Sequence, residues 1–361
     1  MKELDDILSA YEDAERNGTS CLLATLVKVD GSSYRRAGAR ILLASTGERT
    51  GGVSGGCLEA EIAKKAWWLT EGGPALQRYN TAGDGDSGIP FGLGCNGVLH
   101  VLMQRIDAAT KQLLTHLRKL RNDRIPAALA TVISGSSRGV QRIYPDADPA
   151  ADHHDLLTRE IVDEALRRVA TRARSEYLLI EDTEIFVEAL APSQRLIVFG
   201  AGDDARPLVQ LARVLGWHVV VADGRSHLAN RTRFPEANAV FTAPAPELPS
   251  LCAVQHDDAV VLMTHSYPQD LALLDQLLDR PVRYLGLLGP RQRTERLLEA
   301  IGRLNAPEIK QLHAPIGLKI GAHTPETIAL AIIAEIQAVN SEANPEFLLR
   351  GEQVRELEAL A

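Results

Sequence analysis

The sequence predicts an α/β protein with two parts: an N-terminal mixed α/β domain over residues 1–190 and a C-terminal Rossmann-like domain with a parallel sheet over residues 195–345. Three observations predict it. A chain of 361 residues with 45% hydrophobic content supplies two or three domains, each with its own core. From Arg195 onward, apolar runs of strand length alternate with helix-period segments, the pattern of a doubly wound sheet. The first of these strands runs into a Gly-x-Gly-x-x-Ala turn that opens a helix.

In chain order, Leu4, Ile7, Leu8 and Tyr11 recur at helix spacing and Gly18 follows as a stop. "SCLLATLVKV", "DGSS" and "ARILLA" read as strand, turn and strand, hence a β-hairpin. "CLEAEIAKKAWWL" is helical, and "GCNGVLHVLMQRI" places a Gly-Cys pair directly before a strand. "LATLVKVDGSS" from Leu23 is echoed by "LATVISGSS" from Leu129, which raises two readings: chance, or one mixed sheet with two related halves. Residues 145–175 are charged and read as peripheral until "IVDEALRRVA"; "EIFVEALAP" closes the first domain and "APSQR" links it to the second. There "RLIVFGAG", "WHVVVAD", "AVVLMTH" and "RYLGLLG" are the strands, and "DDARPLVQLARVLG" is the first crossover helix. The apolar "TIALAIIAEIQAV" packs either on its own sheet or on a partner.

A net charge of -8 gives no general attraction to nucleic acid or anionic membrane, so an anion must be held by local geometry. The acidic, amphipathic N-terminus lacks a signal peptide's apolar core, and no run is long enough to span a bilayer; the expectation is a cytoplasmic protein without stable membrane insertion. Cys21, Cys57, Cys95 and Cys252 show no CxxC spacing and fit reduced thiols. The His153–His154 pair, set among aspartates, is a weak metal candidate.

Two glycine-rich stretches carry the functional signal. In "GGVSGGCLEAEI", Gly52, Ser54, Gly55 and Gly56 precede Cys57 at a helix start, where backbone N–H groups meet anions and the helix dipole lowers a thiol pKa. Glu59 either orients this loop or is an exposed first-turn acid. Gly94 and Cys95, in "GLGCNG", form the matching loop, whereas Cys21 and Cys252 read as packing residues. In the second domain, Gly200, Gly202 and Ala205 make the turn, and Asp223 ends the next strand, where a ribose-binding acid belongs. Asp203 and Asp204, at the helix start, would repel a pyrophosphate. Gly289, Arg291 and Arg293 repeat the phosphate-binding logic, and His265 and Ser266 end a neighbouring strand.

These motifs together resemble the XdhC/CoxI family, accessory factors of molybdenum hydroxylases such as xanthine dehydrogenase. The resemblance rests on "GGVSGGCLEAEI" and "GLGCNG" in the first half, and on "VFGAGDDARPLVQLARVLGW", "MTHSYPQD", "YLGLLGPRQR" and "HAPIGLKIGAHTPETIALAIIAEI" in the second. It implies a protein that binds molybdenum cofactor (Mo-molybdopterin), holds it while a cysteine desulfurase exchanges an oxo ligand for sulfur, and passes it to a hydroxylase of the xanthine dehydrogenase type. Cys57 and Cys95 are then the candidate molybdenum contacts. Phe91, Trp67 and Trp68 are the few candidates for stacking on a pterin, in a chain with 4% aromatic residues.

No Ser-His-Asp set, paired acid and base, or metal-ligand spacing accompanies the Rossmann half, which favours a carrier without turnover. The alternative is an NAD(P)-dependent oxidoreductase built on residues 195–340; a third reading gives the Rossmann half a nucleotide or the cofactor's phosphate for regulating docking. The crevice between the domains is the expected site and a homodimer the expected assembly.

Overall fold

The computed structural model describes residues 2–56, 58–81, 97–146, 157 and 159–345, and divides into two compact units, Met1–Ser193 and Gln194–Ala361.

The first unit runs α1 (Lys2–Arg16), β1 (Cys21–Asp30), β2 (Arg40–Ala44), β3 (Arg49–Gly51), α2 (Glu59–Leu69), β4 (Ala75–Asn80), β5 (Val98–Arg105), α3 (Ala108–Asn122), β6 (Ala127–Val132), β7 (Gln141–Tyr144), α4 (Glu160–Arg172), β8 (Glu176–Ile180) and β9 (Thr183–Leu190). Leu4, Ile7, Leu8 and Tyr11 form the buried stripe of α1, as their spacing predicts, and Gly18 takes φ +66° after it.

Its strands make two antiparallel sheets, ordered β3-β2-β1-β5-β4 and β7-β6-β9-β8. The Leu23/Leu129 echo marks a duplication. Each half is a hairpin, a helix and a second strand pair, with the last strand returning beside the first: β1, β2, α2, β4, β5 against β6, β7, α4, β8, β9. Register agrees as well, since Leu23 faces Leu42 and Gln104 while Leu129 faces Ile143 and Glu188. Even the hairpin-end bonds repeat: Leu26 N–H to Ala39 O and Gly38 N–H to Leu26 O recur as Val132 to Val140 and Gly139 to Val132. The two halves thus form two sheets rather than one mixed sheet, because each first strand is already flanked on both sides by strands of its own half.

Alternation decides which face each half buries. Leu22, Ala24 and Leu26 pack under α2, and Ala128, Ala130 and Val132 under α4, so α4 belongs to the core rather than the periphery. The opposite faces meet through equivalent residues, Val27 with Ile133 and Leu102 with Phe186, forming a shared apolar cluster. Cross-contacts are reciprocal: Gln104 Nε2 donates to Gly139 O at 2.8 Å, and Glu188 bonds Arg40, whose guanidinium also reaches Gly38 O.

The second unit runs β10 (Arg195–Phe199), α5 (Ala205–Val214), β11 (His218–Asp223), β12 (Ala239–Thr242), α6 (Leu248–Leu251), β13 (Ala259–Leu262), α7 (Tyr267–Leu278), β14 (Tyr284–Leu287), α8 (Arg291–Ala300), β15 (Leu312–His313) and α9 (Pro325–Ser341). Its six parallel strands have the order β12-β11-β10-β13-β14-β15, the Rossmann arrangement with the strand order reversing between β10 and β13. The edge strands β12 and β15 carry little apolar alternation and escaped sequence reading. Helix α9 resolves its two readings by burying Ala329, Ile332, Ile333 and Ile336 against its own sheet beside α5.

Candidate functional site

The glycine loop before α2 is built around a carboxylate. Glu59 is only 8% exposed. Its Oε1 accepts from the Val53 and Ser54 N–H groups at 3.0 and 2.8 Å, and its Oε2 from Ser54 Oγ and Gly56 N–H at 2.7 and 3.0 Å. Ser54 Oγ in turn accepts from Leu58 N–H at 3.2 Å. Burial pushes the Glu59 carboxyl upward, but the bonds from Ser54 and the loop backbone prevail and hold it below the ordinary glutamate range. Glu59 therefore orients the loop, and Ser54 and Gly56 spend their N–H groups on it rather than on a ligand. Gly51 needs its glycine: at φ +88°, a Cβ there would lie 2.4 Å from Arg40 O.

Cys57, Gly94 and Cys95 lie outside the described residues, as do Phe91 and the His153–His154 pair. The flanks of both Gly-Cys motifs nevertheless reach the same turn. A Cβ on Gly55 would lie 3.7 Å from Tyr34, while one on Gly97 would collide with Ser32 O. Thr81 and Gly97, which bracket the segment carrying Gly94 and Cys95, are tied by Thr81 Oγ1 donating to Gly97 O and accepting from Gly97 N–H. Cys21 and Cys252 are buried, with both thiols pushed up by burial, Cys252 to about 11. Trp67 lies under the Arg105 guanidinium, 5.6 Å from its ring centre, and Trp68 is exposed.

At the strand ends of the second unit, Gly200 turns the chain at φ +122°, with no room for a Cβ against Met263 O. Asp223 is fully buried and turned inward. It accepts from Ala201 N–H at 2.8 Å, from Arg225 N–H at 2.9 Å, and from the Arg225 guanidinium at 2.9 and 2.7 Å. Burial raises this carboxyl, and these bonds more than reverse it, leaving it below the usual aspartate range. The acid that would grip a ribose is thus committed to the loop that would grip a pyrophosphate. Asp203 pairs with Arg233 and Asp204 with His265 Nε2 at 2.6 Å.

A pocket of about 640 Å³ opens beyond this loop, at the carboxyl ends of β13 and β14, a size suited to a small ligand. Met263, Leu288, Ile316, Leu318 and Ile328 give it apolar walls; His265, Arg293 and Lys319 are its basic lining, and among the described residues no carboxylate lines it. His265 sits at φ +57°, a conformation rare outside glycine and held here by the Asp204 bond. Arg293 is anchored by the buried Asp270, at 2.7 Å, which also takes the Thr264 hydroxyl. Lys319 is exposed and makes no ion pair among the described residues. Gly289 lines the pocket, whereas Arg291 points away and pairs with Glu295.

The wall carrying Lys319 hangs on one partly buried acid. Glu335 of α9 accepts from Gly317 N–H at 2.8 Å and from the Tyr284 hydroxyl, with His313 Nδ1 at 3.2 Å. Sequence reading missed both residues, though each left a trace: a lone acid in the apolar run of α9, and a lone lysine between two glycines. Among the described residues, no group of three or more His, Cys, Asp and Glu is placed to hold a metal, and no helix is long and apolar enough to cross a membrane.

Comparison with known proteins fits this architecture. Residues 14–80 match the XdhC and CoxI family, and residues 196–336 the XdhC Rossmann domain. A Bacillus subtilis protein, named as a probable xanthine dehydrogenase subunit, is 33% identical over 92% of this chain and 95% of its own. The chain belongs to the XdhC and CoxI family. Another relative, named molybdenum cofactor insertion chaperone PaoD, from Escherichia coli, is 26% identical over 92% of this chain and 87% of its own. A crystal structure from Bacillus halodurans, described as a xanthine dehydrogenase, superposes with a TM-score of 0.76 at 28% identity, covering 94% of this chain and 97% of that one. Both units of this family member are therefore shared with its relatives, and neither is an addition.

Proposed function

We propose that this protein binds molybdenum cofactor and serves the maturation of a molybdenum hydroxylase of the xanthine dehydrogenase type. The observation that carries the reading is relatedness through both units to a protein named for xanthine dehydrogenase and to one named for molybdenum cofactor insertion. The second unit's pocket fits such a group: a basic lining suits a phosphate, and apolar walls suit a flat heterocycle. The cofactor supplies the metal-centred chemistry; the chain's part is to bind and orient it. Cys57 and Cys95 are the candidate molybdenum contacts in this reading, and Glu59 orders the loop that leads to Cys57. Delivery to the apo-hydroxylase follows, after sulfuration by a cysteine desulfurase, from a cytoplasmic homodimer.

The dinucleotide reading loses its main support, because the Asp223 carboxylate and the Ala201 N–H are bonded to one another. The deciding measurement loads the purified protein with molybdenum cofactor, re-isolates it and quantifies molybdenum and pterin, with NAD(P) titrated in parallel. Stoichiometric pterin and metal without nicotinamide binding supports the carrier; nicotinamide binding without pterin overturns it. Retention unchanged in both Cys57→Ser and Cys95→Ser would remove the cysteines from the site.

A further inference from the structure

The geometry points to an anion site displaced from the glycine-rich turn: a phosphomonoester carried on a flat heterocycle, its phosphate held between Arg293 and Lys319, its ring against Ile316 and Leu318. This deepens the proposed function, on which it rests for the ligand's source, and assigns the phosphate to a place other than the Gly200–Gly202 turn. In a dinucleotide fold that turn binds the pyrophosphate with bare backbone N–H groups. Here the acids and cations around it are already paired with one another. Ala201 N–H already serves Asp223, and Asp203 and Asp204 stand at the start of α5.

One strand further along the sheet the balance reverses. Among the described residues, the pocket at the ends of β13 and β14 has three basic side chains and no acid in its lining. The two nearby carboxylates each face one of those cations: Asp204 holds His265, and Asp270 holds Arg293 through a single guanidinium nitrogen. An arginine has five donors in a planar fork, so Arg293 is fixed in place by Asp270 and still has N–H groups to offer. Helix α8 starts at Arg291, directly after the lining residues Gly289 and Pro290, and adds its positive end. Lys319 completes the set from the lining segment that Glu335 holds through Gly317 N–H. A free cation and an anchored one in the lining of the same apolar-walled pocket are what a phosphate-bearing ring needs.

Calorimetry on the full-length protein tests this with four probes: molybdenum cofactor, AMP, adenosine and inorganic phosphate. Lys319→Ala is the clean variant, since Lys319 is exposed and carries no ion pair among the described residues; Arg293→Lys, which keeps the charge beside Asp270, is the second, and unfolding midpoints show whether each variant is intact. The expected result is a phosphorylated ligand that binds, with affinity falling about tenfold or more in Lys319→Ala, the scale of one charge-assisted hydrogen bond. Adenosine should bind at least tenfold more weakly than AMP if AMP is the ligand. Cofactor binding that is unchanged in both intact variants overturns the site while leaving the carrier reading standing. AMP or phosphate binding that is lost in the variants, with no cofactor binding, keeps the site and overturns the carrier. Binding of none of the four overturns both.

Discussion

Replacing Glu59 by glutamine should loosen the glycine loop by an amount that the hydrogen bonds allow to be worked out. The amide oxygen can keep the bonds now made by Oε1, to Val53 and Ser54 N–H. The new NH2 then faces the Gly56 N–H, donor against donor, where Oε2 accepted. Ser54 Oγ can accept from it on its second lone pair, beside the Leu58 N–H, but its own O–H then loses the acceptor that Oε2 provided. One backbone donor is orphaned, and the retained bonds fall from charge-assisted to neutral, a combined cost of about 3 kcal/mol. Glu59→Ala removes all four partners and should cost about 4 kcal/mol. Urea unfolding measures both, with Trp67 and Trp68 as reporters of this unit and a Trp217→Phe background to silence the other. The midpoint should fall by roughly 1.5 M for the glutamine variant. The sign with pH is fixed: Glu59 is held below its ordinary range, so its contribution is complete above the unfolded-state value of about 4.3 and disappears as pH falls through the folded value. The gap between parent and variant should be flat from about pH 7 to 5 and narrow below that. A gap under about 1 kcal/mol, or one that widens on acidification, would refute the reasoning.

The buried pair Arg40–Glu188, each side chain 8% exposed, should lose about 3–4 kcal/mol on alanine substitution of either partner. Arg40→Gln combined with Glu188→Gln copies the equivalent Gln141 and Gln104 of the other half and should cost clearly less than the two single changes together, as a double-mutant cycle would measure. Asp223→Asn should destabilise the second unit at neutral pH by about 2 kcal/mol, with the difference narrowing below about pH 3.9 and vanishing only as the pH falls through the lower folded value; denaturation across pH is the check. Cys21 and Cys252 should resist a thiol reagent at pH 8 until urea is added, with labelling read by peptide mass spectrometry.

Local signals in the sequence predicted local structure well. The α1 stripe, the first hairpin, and the Gly-x-Gly-x-x-Ala turn with its flanking strands all depend on neighbours within a few positions. The echo between Leu23 and Leu129 showed one strand and turn of a duplication whose remaining equivalences are structural, since Gln104 and Glu188 or Gly38 and Gly139 share position without an obvious shared motif. Long-range partners were harder to see. Asp223 stands where a ribose-binding acid belongs, and only the contact with Ala201 shows it turned inward; Arg225, two residues on, was the available hint. Arg291 and Arg293 look alike in sequence, but helix phase sends the first to Glu295 and the second to Asp270. Lys319 becomes a pocket residue through Gly317 and Glu335, a tie that no local pattern encodes.

The duplicated first unit has a consequence for how specialised loops arise. In a dimer of identical ββαββ chains, any insertion is made twice, and both copies bear its cost in stability. Joined in one chain, the halves are free to differ. The first half spans residues 81–97 between its last two strands; the second makes the same connection with Glu181 and Asp182. Similarly, one hairpin end is held by Arg40, itself paired with Glu188, and its twin by the amide of Gln104. One half keeps the short connection, and its partner can carry a long one that a symmetric assembly would have to carry in duplicate.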